Sequence, residues 1–427
     1  MFRKFDGLWR SPDFMKLWVG QTVSEFGSHI TGTGLPLVAV ITLAASPSEL
    51  GVLAALGSVP ILLFSLVAGV WVDRLPRRPI MIASDIGRMI LLLTVPLAAL
   101  TGHLSMPLLY IVTIGLSMLT LFFNVAYRSV LPGLVSREHL LEGNTKLATS
   151  SSLAEVGGPA IAGLLVERLT APIAIILDAL TFLISALSLG LMRKAEPPSV
   201  KHQPESMRRA MRTGFDVILH DPILRALVIA HTLRAFFGSF FAALYSLYVI
   251  RELGLTPLAL GIIIGAGGVG ALIGSVLAER VTQKYGIGTI LTLLPLLSAP
   301  LGLLTPLAAG PPLLAAGMLM IPQLFGDAMW AIHGINEISL QQALIPDHLL
   351  GRANATVFFL SQGIAPIGAL LAGAIASASS ARFTLLIAIM GFFCIALWLL
   401  TTPVRQLQNS DVAPAITKER DHQVIIE

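Results

Sequence analysis

Apolar residues fill long runs along nearly the whole chain, and polar residues collect in the short breaks between them. A run of about 20 apolar residues, wound as a helix, crosses the roughly 30 Å hydrocarbon core of a bilayer. Twelve such runs are legible: 14–43, 49–72, 79–100, 105–127, 147–168, 171–192, 223–250, 257–279, 287–307, 312–338, 353–376 and 383–402. Strands of a membrane barrel would be shorter and would alternate apolar with polar, a pattern this chain lacks. The fold class is therefore all-α, with twelve transmembrane helices.

One break is different in kind. Residues 193–222 form a polar, basic segment with several prolines, MRKAEPPSVKHQPESMRRAMRTGFDVILHD beginning just before it. Its second part has the spacing of a short amphipathic helix for a membrane surface. It divides the chain into two six-helix bundles, 1–192 and 223–402, and residues 403–427 form a polar tail expected to be disordered.

Composition sharpens this picture. Of 427 residues, 55% are hydrophobic and only 12% charged, against about 25% charged in soluble domains. The net charge of +4 would suggest nucleic acid in a soluble protein. Here the basic residues have another use, since cytoplasmic loops of membrane proteins are rich in Lys and Arg. Arg3, Lys4, Arg10 and Lys16 precede span 1; Arg74, Arg77 and Arg78 follow span 2; Arg128, Arg137 and Lys146 follow span 4. Arg193 to Arg212 fill the central segment, Arg280 and Lys284 follow span 8, Arg352 follows span 10, and Arg405 follows span 12. The opposite loops hold only Arg168, Arg251 and Arg382. Both termini and the central loop are thus expected on the cytoplasmic side, and an even number of spans agrees. The start, MFRKFDGLWRSPDFMKLW, is charged and aromatic, so no cleavable signal peptide is expected. The lone Cys394 permits no intrachain disulfide.

Certain stretches occur twice. GVWVDR (69–74) after span 2 is echoed by SVLAER (275–280) after span 8. RSVLPGLVSREHLLEGN (128–144) after span 4 is echoed by QQALIPDHLLGRAN (341–354) after span 10. GGPAIAG (157–163) in span 5 is echoed by APIGALLAG (365–373) in span 11. Three pairs in one order indicate an internal duplication, and paired six-helix repeats with a site between them are a recurring plan of transporters.

These residues resemble the major facilitator superfamily of transporters. Gly69, Asp73, Arg74, Arg77 and Arg78 match its loop 2–3 signature, although Leu75-Pro76 replaces the usual glycine after Asp-Arg. Gly158, Pro159 and Gly163 resemble its antiporter-linked motif in helix 5, with an incomplete glycine set. The GQTVSEFGSHI start and the LPGLVSREHLLEGN loop are similar to the twelve-helix drug-proton antiporter branch that includes macrolide and siderophore exporters. The resemblance implies alternating access, a bacterial inner (cytoplasmic) membrane location, and a central cavity lined by helices 1, 4, 7 and 10. It also implies a gate at the cytoplasmic rim. Asp73 can meet the positive N-terminal end of a helix in the other half, with Glu279 and Arg280 as the degenerate second copy. The bland alternative is that Arg77 and Arg78 only anchor the positive-inside orientation.

Charged residues inside spans are costly and mark cavities or partners. Glu25 lies in span 1, with His29 four residues on. Arg234 lies in span 7 with His231 three residues before it, and Asp327 in span 10 with His333 and Glu337 following. Glu25 is expected to be the main proton-linked carboxylate, Asp327 the runner-up, and Glu155 a second proton site or a vestibule residue. Arg234 is expected to be the counter-charge of Glu25, or the anchor of an anionic substrate group. Glu25 and Arg234 forming a static pair is the structural alternative. His29, His231, His333, Asn124 and Tyr127 are candidate cavity lining. Asp85 and Arg88 are read as structural bracing of the loop 2–3 signature, and Asp178 as packing.

No metal-ligand spacing, catalytic triad or phosphate-binding loop stands out. GAGGVG (265–270) fits a dinucleotide pattern, but it lies inside an apolar span rather than between a strand and a helix. With Gly261 and Gly274 it reads as close helix packing. No cofactor, metal or enzymatic activity is expected. The reading is a monomeric secondary transporter, working with a small-molecule substrate, protons and membrane lipid and without nucleic acid. It drives proton-coupled efflux of a bulky amphipathic compound such as a drug, antibiotic or siderophore-like molecule. The alternative is a lysophospholipid or other lipid transporter of the same fold without obligatory proton coupling.

Overall fold

The computed structural model describes residues 7–72, 75–128, 130–193 and 207–407. Asp73 and Arg74, the centre of the expected gate, lie outside the described residues, as does the tail from residue 408. Every regular element among the described residues is helical.

The long helices are α1 (Pro12–Leu37), α2 (Pro47–Val72), α3 (Arg77–Leu100), α4 (Met106–Arg128), α5 (Leu140–Leu169) and α6 (Ala171–Gly190). A shorter α7 (Met207–His220) precedes α8 (Pro222–Leu247), α9 (Pro257–Tyr285), α10 (Ile287–Gly302) and α11 (Pro312–Ile321). The last three are α12 (Asp327–Leu344), α13 (Asp347–Ala378) and α14 (Ala381–Leu400). Among the described residues, ten helical stretches are long and apolar enough to cross a membrane. The helices α1 and α5, 26 and 30 residues long, are not among the ten. Gln21, Thr22, Ser24, Glu25, Ser28 and His29 in α1 dilute its apolar character. Large apolar side chains such as Leu97, Leu100, Ile111 and Leu313 lie on the outside. That surface suits lipid, since soluble monomers rarely expose wide apolar patches. This is an integral membrane protein.

The chain divides into two compact units, Met1–Pro204 with Ser246–Gly265, and Glu205–Tyr245 with Ala266–Glu427. In the first unit, Phe14, Leu17, Met81, Phe123 and Leu189 form an apolar core. The buried Arg88 lies in α3, where its guanidinium holds Asp85 one turn away. Its carbon centre stands 4.4 Å from the Phe123 ring of α4 and 4.1 Å from the Phe182 ring of α6. Asp178 and Glu25 lie within its electrostatic reach. One cation therefore joins three helices through two rings, while its carboxylate partner lies on its own helix. Asp178, read as packing, is fully buried and accepts a hydrogen bond from Thr181 at 2.9 Å.

The glycines of the helix 5 motif serve close approach. A Cβ on Gly163 would stand 3.0 Å from the Leu258 Cα and nearer still to the Pro257 carbonyl. Gly261 presses in the same way on the Pro159 carbonyl. Two backbones touching at paired glycines give α5 and the start of α9 a contact that any side chain would prop open.

A further repeat supports the duplication. The helix α1 runs into a π-helical turn, Val38–Thr42, and α8 into another, Tyr248–Glu252. Each is followed by a left-handed residue, Ala44 at φ 50° and Gly254 at φ 65°. Then come Ser46-Pro47 and Thr256-Pro257, whose hydroxyls cap α2 and α9 by accepting from the Glu49 and Ala259 amides at 3.3 and 3.2 Å. Serine or threonine before proline at the first helical position is a strong helix start.

In the second unit, Ala226, Leu227, Ile287, Leu291 and Leu340 pack together. The expected amphipathic helix is present as α7, and Gly214 on it lies against the Arg352 carbonyl and Thr356 of α13.

Replacing Arg88 leaves Asp85 buried without its cation, and breaking such a pair costs about 3–5 kcal/mol. Arg88→Ala should therefore lower the thermal unfolding midpoint of the detergent-purified protein sharply. An unchanged midpoint would show that the rings and carboxylate do not depend on the guanidinium.

Candidate functional site: an ionic cluster behind an aromatic cavity

Two helices of the second unit bring four ionisable side chains together. On α8, His231 and Arg234 are three residues apart and share a face. On α12, His333 and Glu337 are four apart and share another. Glu337, only 3% exposed, is the hub. Its Oε1 lies 3.1 Å from His231 Nδ1, and its Oε2 lies 3.5 Å from Arg234 and 3.6 Å from His333 Nδ1. The Gln341 amide stands 3.4 Å from the same carboxylate. A charge in a span needs such company.

His231 Nδ1 also lies 3.0 Å from an Arg234 guanidinium nitrogen. One ring nitrogen cannot serve both neighbours at once. Unprotonated, it accepts from Arg234; protonated, it donates to Glu337. The ring of His333 is fully buried and meets Trp330 edge-on at 5.4 Å. Arg234 lies over Trp330 as well, 4.9 Å from the ring centroid.

Trp330 and Phe392 wall this cluster on one side and line a separate cavity of about 270 Å³. The aromatic wall is continuous: Tyr245 and Phe241 are 6.2 Å apart, Phe241 and Phe392 stack at 6.2 Å, and Phe392 and Trp330 stand at 6.1 Å. Polar atoms come from Gln323, Asp327, Ser298 and Thr305. Asp327 begins α12 directly after a π-helical turn, Pro322–Gly326. Such turns shift the register of a helix and recur at functional sites. A Cβ on Gly267 would collide with the Asp327 carboxylate, so this glycine of the GAGGVG stretch makes room for the acid.

Each remaining candidate lies within one of the two units. Glu25 is half-buried in the first unit, within electrostatic reach of Arg88 and of Tyr127. Within the second unit, Arg234 meets Glu337. His29 packs against Gly158 and senses the exposed Glu155. Asn124 is exposed. Arg78 donates to the Gly190 carbonyl, and Glu279 accepts from Gln283 at 3.1 Å. No group of three or more His, Cys, Asp or Glu residues fit to hold a metal occurs among the described residues.

The chain matches the family described as transmembrane secretion effector over residues 8–424. It belongs to that family, a branch of the major facilitator transporters. It is a transporter and not an enzyme. Within the family it is 26% identical over 424 residues to the multidrug efflux pump Tap of Mycobacterium tuberculosis, covering 96% of this chain and 97% of that one. It is 29% identical over 271 residues to macrolide efflux protein A of Streptococcus pyogenes, covering 62% of this chain and 65% of the other. In fold it is similar to a bacterial homologue of the human lysosomal transporter Spinster, solved inward-facing and occupied. The TM-score is 0.71 at 14% identity, over 93% of this chain and 97% of that one. The nucleoside transporter NupG is similar at a TM-score of 0.70 and 12% identity, over 91% and 98%.

The pairing of Arg234 with Glu337 is open to test by stability. Glu337→Leu strands a partly buried arginine and should lower stability by less than the roughly 3–5 kcal/mol that breaking a fully buried pair costs. Adding Arg234→Met should restore much of the loss, because an apolar pair replaces an ionic one. A double variant no more stable than Glu337→Leu alone would show that the two charges are not coupled.

Proposed function

We propose that this protein is a proton-driven exporter of bulky amphipathic small molecules. The observation that carries the reading is the shared nitrogen of His231, placed between Arg234 and Glu337 behind the wall of the aromatic cavity. A proton arriving there turns His231 from the partner of Arg234 into the partner of Glu337. The rearrangement acts on Arg234 and His333, both of which contact Trp330, and Trp330 lines the cavity. Proton uptake and substrate occupancy thus bear on one tryptophan. The full-length similarity to a multidrug efflux pump supports the direction and the substrate class.

On this reading α1 and α5 also cross the bilayer, which makes twelve crossings. Both termini lie in the cytoplasm, the membrane is the bacterial inner membrane, and the transporting unit is a monomer. Glu25 beside Arg88 is a second proton-linked carboxylate in the first unit, and the loop 2–3 signature with Arg77 and Arg78 forms the gate.

The test is uptake of radiolabelled erythromycin into proteoliposomes with an acidic lumen. Each pH unit of gradient supplies about 1.4 kcal/mol per proton, enough for about tenfold accumulation at one proton per neutral exchange. Accumulation should appear with the gradient and collapse with a protonophore. Glu337→Gln keeps a hydrogen-bond acceptor for His231 but removes the negative charge to which the protonated ring turns. It should lose gradient-driven accumulation and keep counterflow exchange of labelled for unlabelled compound. Full gradient-driven uptake by Glu337→Gln would place coupling elsewhere, with Glu25→Gln the next variant to assay. Transport of lysophospholipid without a proton requirement would favour the lipid reading.

A further inference from the structure

We infer that Arg251 is a latch: it holds the turn between α8 and α9 against the end of α1, and each transport cycle has to release it. This deepens the exporter reading and rests on it for the statement that the release belongs to a transport cycle.

Arg251 is one of three arginines in the loops opposite the basic ones, so membrane orientation does not account for it. Its guanidinium donates to the Val40 carbonyl at 2.6 Å and to the Ala45 carbonyl at 2.7 Å. Both carbonyls lie where α1 runs out through its π-helical turn. The last carbonyls of a helix have no partner within it, and Arg251 supplies one from the second half of the sequence.

The duplication makes this position informative. The two π-helical turns align residue for residue, Val38–Thr42 with Tyr248–Glu252, and Arg251 then falls opposite Ile41. Ile41 is exposed and has no side-chain group to donate. The tie therefore runs one way, from the second copy of the turn to the first.

A second point holds the same turn. The first amides of a helix also lack partners within it, and in α9 the Leu258 amide donates to the Glu167 carboxylate of α5 at 3.1 Å. Beside it, Gly163 and Gly261 put the two backbones in contact. Residues Ser246–Gly265 accordingly belong to the first compact unit, whereas α8 up to Tyr245 belongs to the second. One helix thus carries His231 and Arg234 of the ionic cluster, then Phe241 and Tyr245 of the cavity wall, then the latch. The change of unit falls just before the π-helical turn, a local form that recurs at functional sites. A shift of α8 at the cluster or the cavity is carried along that helix to Arg251.

Two measurements on the full-length chain test the latch. The first is double electron–electron resonance in lipid nanodiscs, on a Cys394→Ser background with spin labels at His103→Cys and Leu313→Cys, both exposed. These positions lie in the turn after α3 and at the start of α11. Helix alternation puts both at the same end of their own bundles as the α1–α2 and α8–α9 turns. Arg251→Met removes two hydrogen bonds from a charged donor and should raise the long-distance population about fivefold or more. Arg251→Lys keeps the charge without the two-pronged donor and should raise it less. Distances in Arg251→Met that match the wild type overturn the proposal. The second measurement decides if Arg251→Met does not fold. Ile41→Cys and Glu252→Cys, joined by a short reducible bis-thiosulfonate, fasten the turn to the end of α1. Counterflow of labelled erythromycin in proteoliposomes should stop on cross-linking and return on reduction, while each single cysteine variant, treated alike, keeps it. Full counterflow by the cross-linked protein overturns the proposal. A wild type that transports nothing would instead contradict the exporter reading, and the distance measurement would still report on the latch.

Discussion

An ionised side chain placed in hydrocarbon has to carry its own partner with it, and this constraint orders the polar interior of the chain. Water is absent there to share the charge, so each carboxylate and guanidinium in a span is either matched or neutralised. Glu337 is matched by Arg234 and His231 on the neighbouring helix. Asp85 is matched by Arg88, which is itself roofed by Phe123 and Phe182. The Glu337 cluster fixes the rotation of α8 and α12 against each other, because turning either helix by one residue separates the charges; the Arg88–Asp85 pair is internal to α3, and the contacts of Arg88 with the two rings orient that helix. The clusters are therefore structural and chemical at once. A group that must be matched to be buried is also a group whose match can be changed by a proton.

The remainder of the fold is arranged around what the charges cannot do. Helix contact away from the clusters relies on glycine and on apolar side chains, since lipid gives no hydrophobic drive between helices. Gly163 on Pro257 and Gly261 on Pro159 bring backbones together, and the Glu167 carboxylate adds one polar tie there by accepting from the Leu258 amide at 3.1 Å. The second unit leaves a volume unfilled behind Trp330 and lines it with rings and one acid. Trp330 and Phe392 are shared between the ionic cluster and the cavity, and in the proposed mechanism they are the route between proton and substrate.

Much of this was legible in the residues. The apolar runs mark the long helices, and the amphipathic spacing of 207–220 marks the surface helix, because bilayer thickness and helical period act on single segments. The GAGGVG stretch was readable as packing for the same reason. The sequence also holds the repeat Leu-Ala-Ala-Ser-Pro at 43–47 and Leu-Gly-Leu-Thr-Pro at 253–257, whose shared turn is evident only once the two π-helical ends are seen. The partners of the charges were not legible. The spacing of His333 and Glu337, and of His231 and Arg234, shows that each pair shares a helix face, but not that the two faces meet. The contact of Arg234 with Glu337 was therefore not foreseen, and Glu337 was left without a role. Likewise the three-residue spacing of Asp85 and Arg88 is visible, whereas the rings that enclose the guanidinium come from helices 35 and 94 residues away in sequence (88 to 123, and 88 to 182).

The central claim is that proton and substrate act on one another through the Glu337 cluster, and the most direct measurement of it is proton exchange on binding. Titration of the purified protein with an amphipathic amine, in two buffers that differ in ionisation enthalpy, counts the protons released per ligand bound. The account predicts proton release by the wild type near neutral pH and none by Glu337→Gln at undiminished occupancy. Binding by the wild type with identical heats in both buffers, or proton release unchanged in Glu337→Gln, would contradict it.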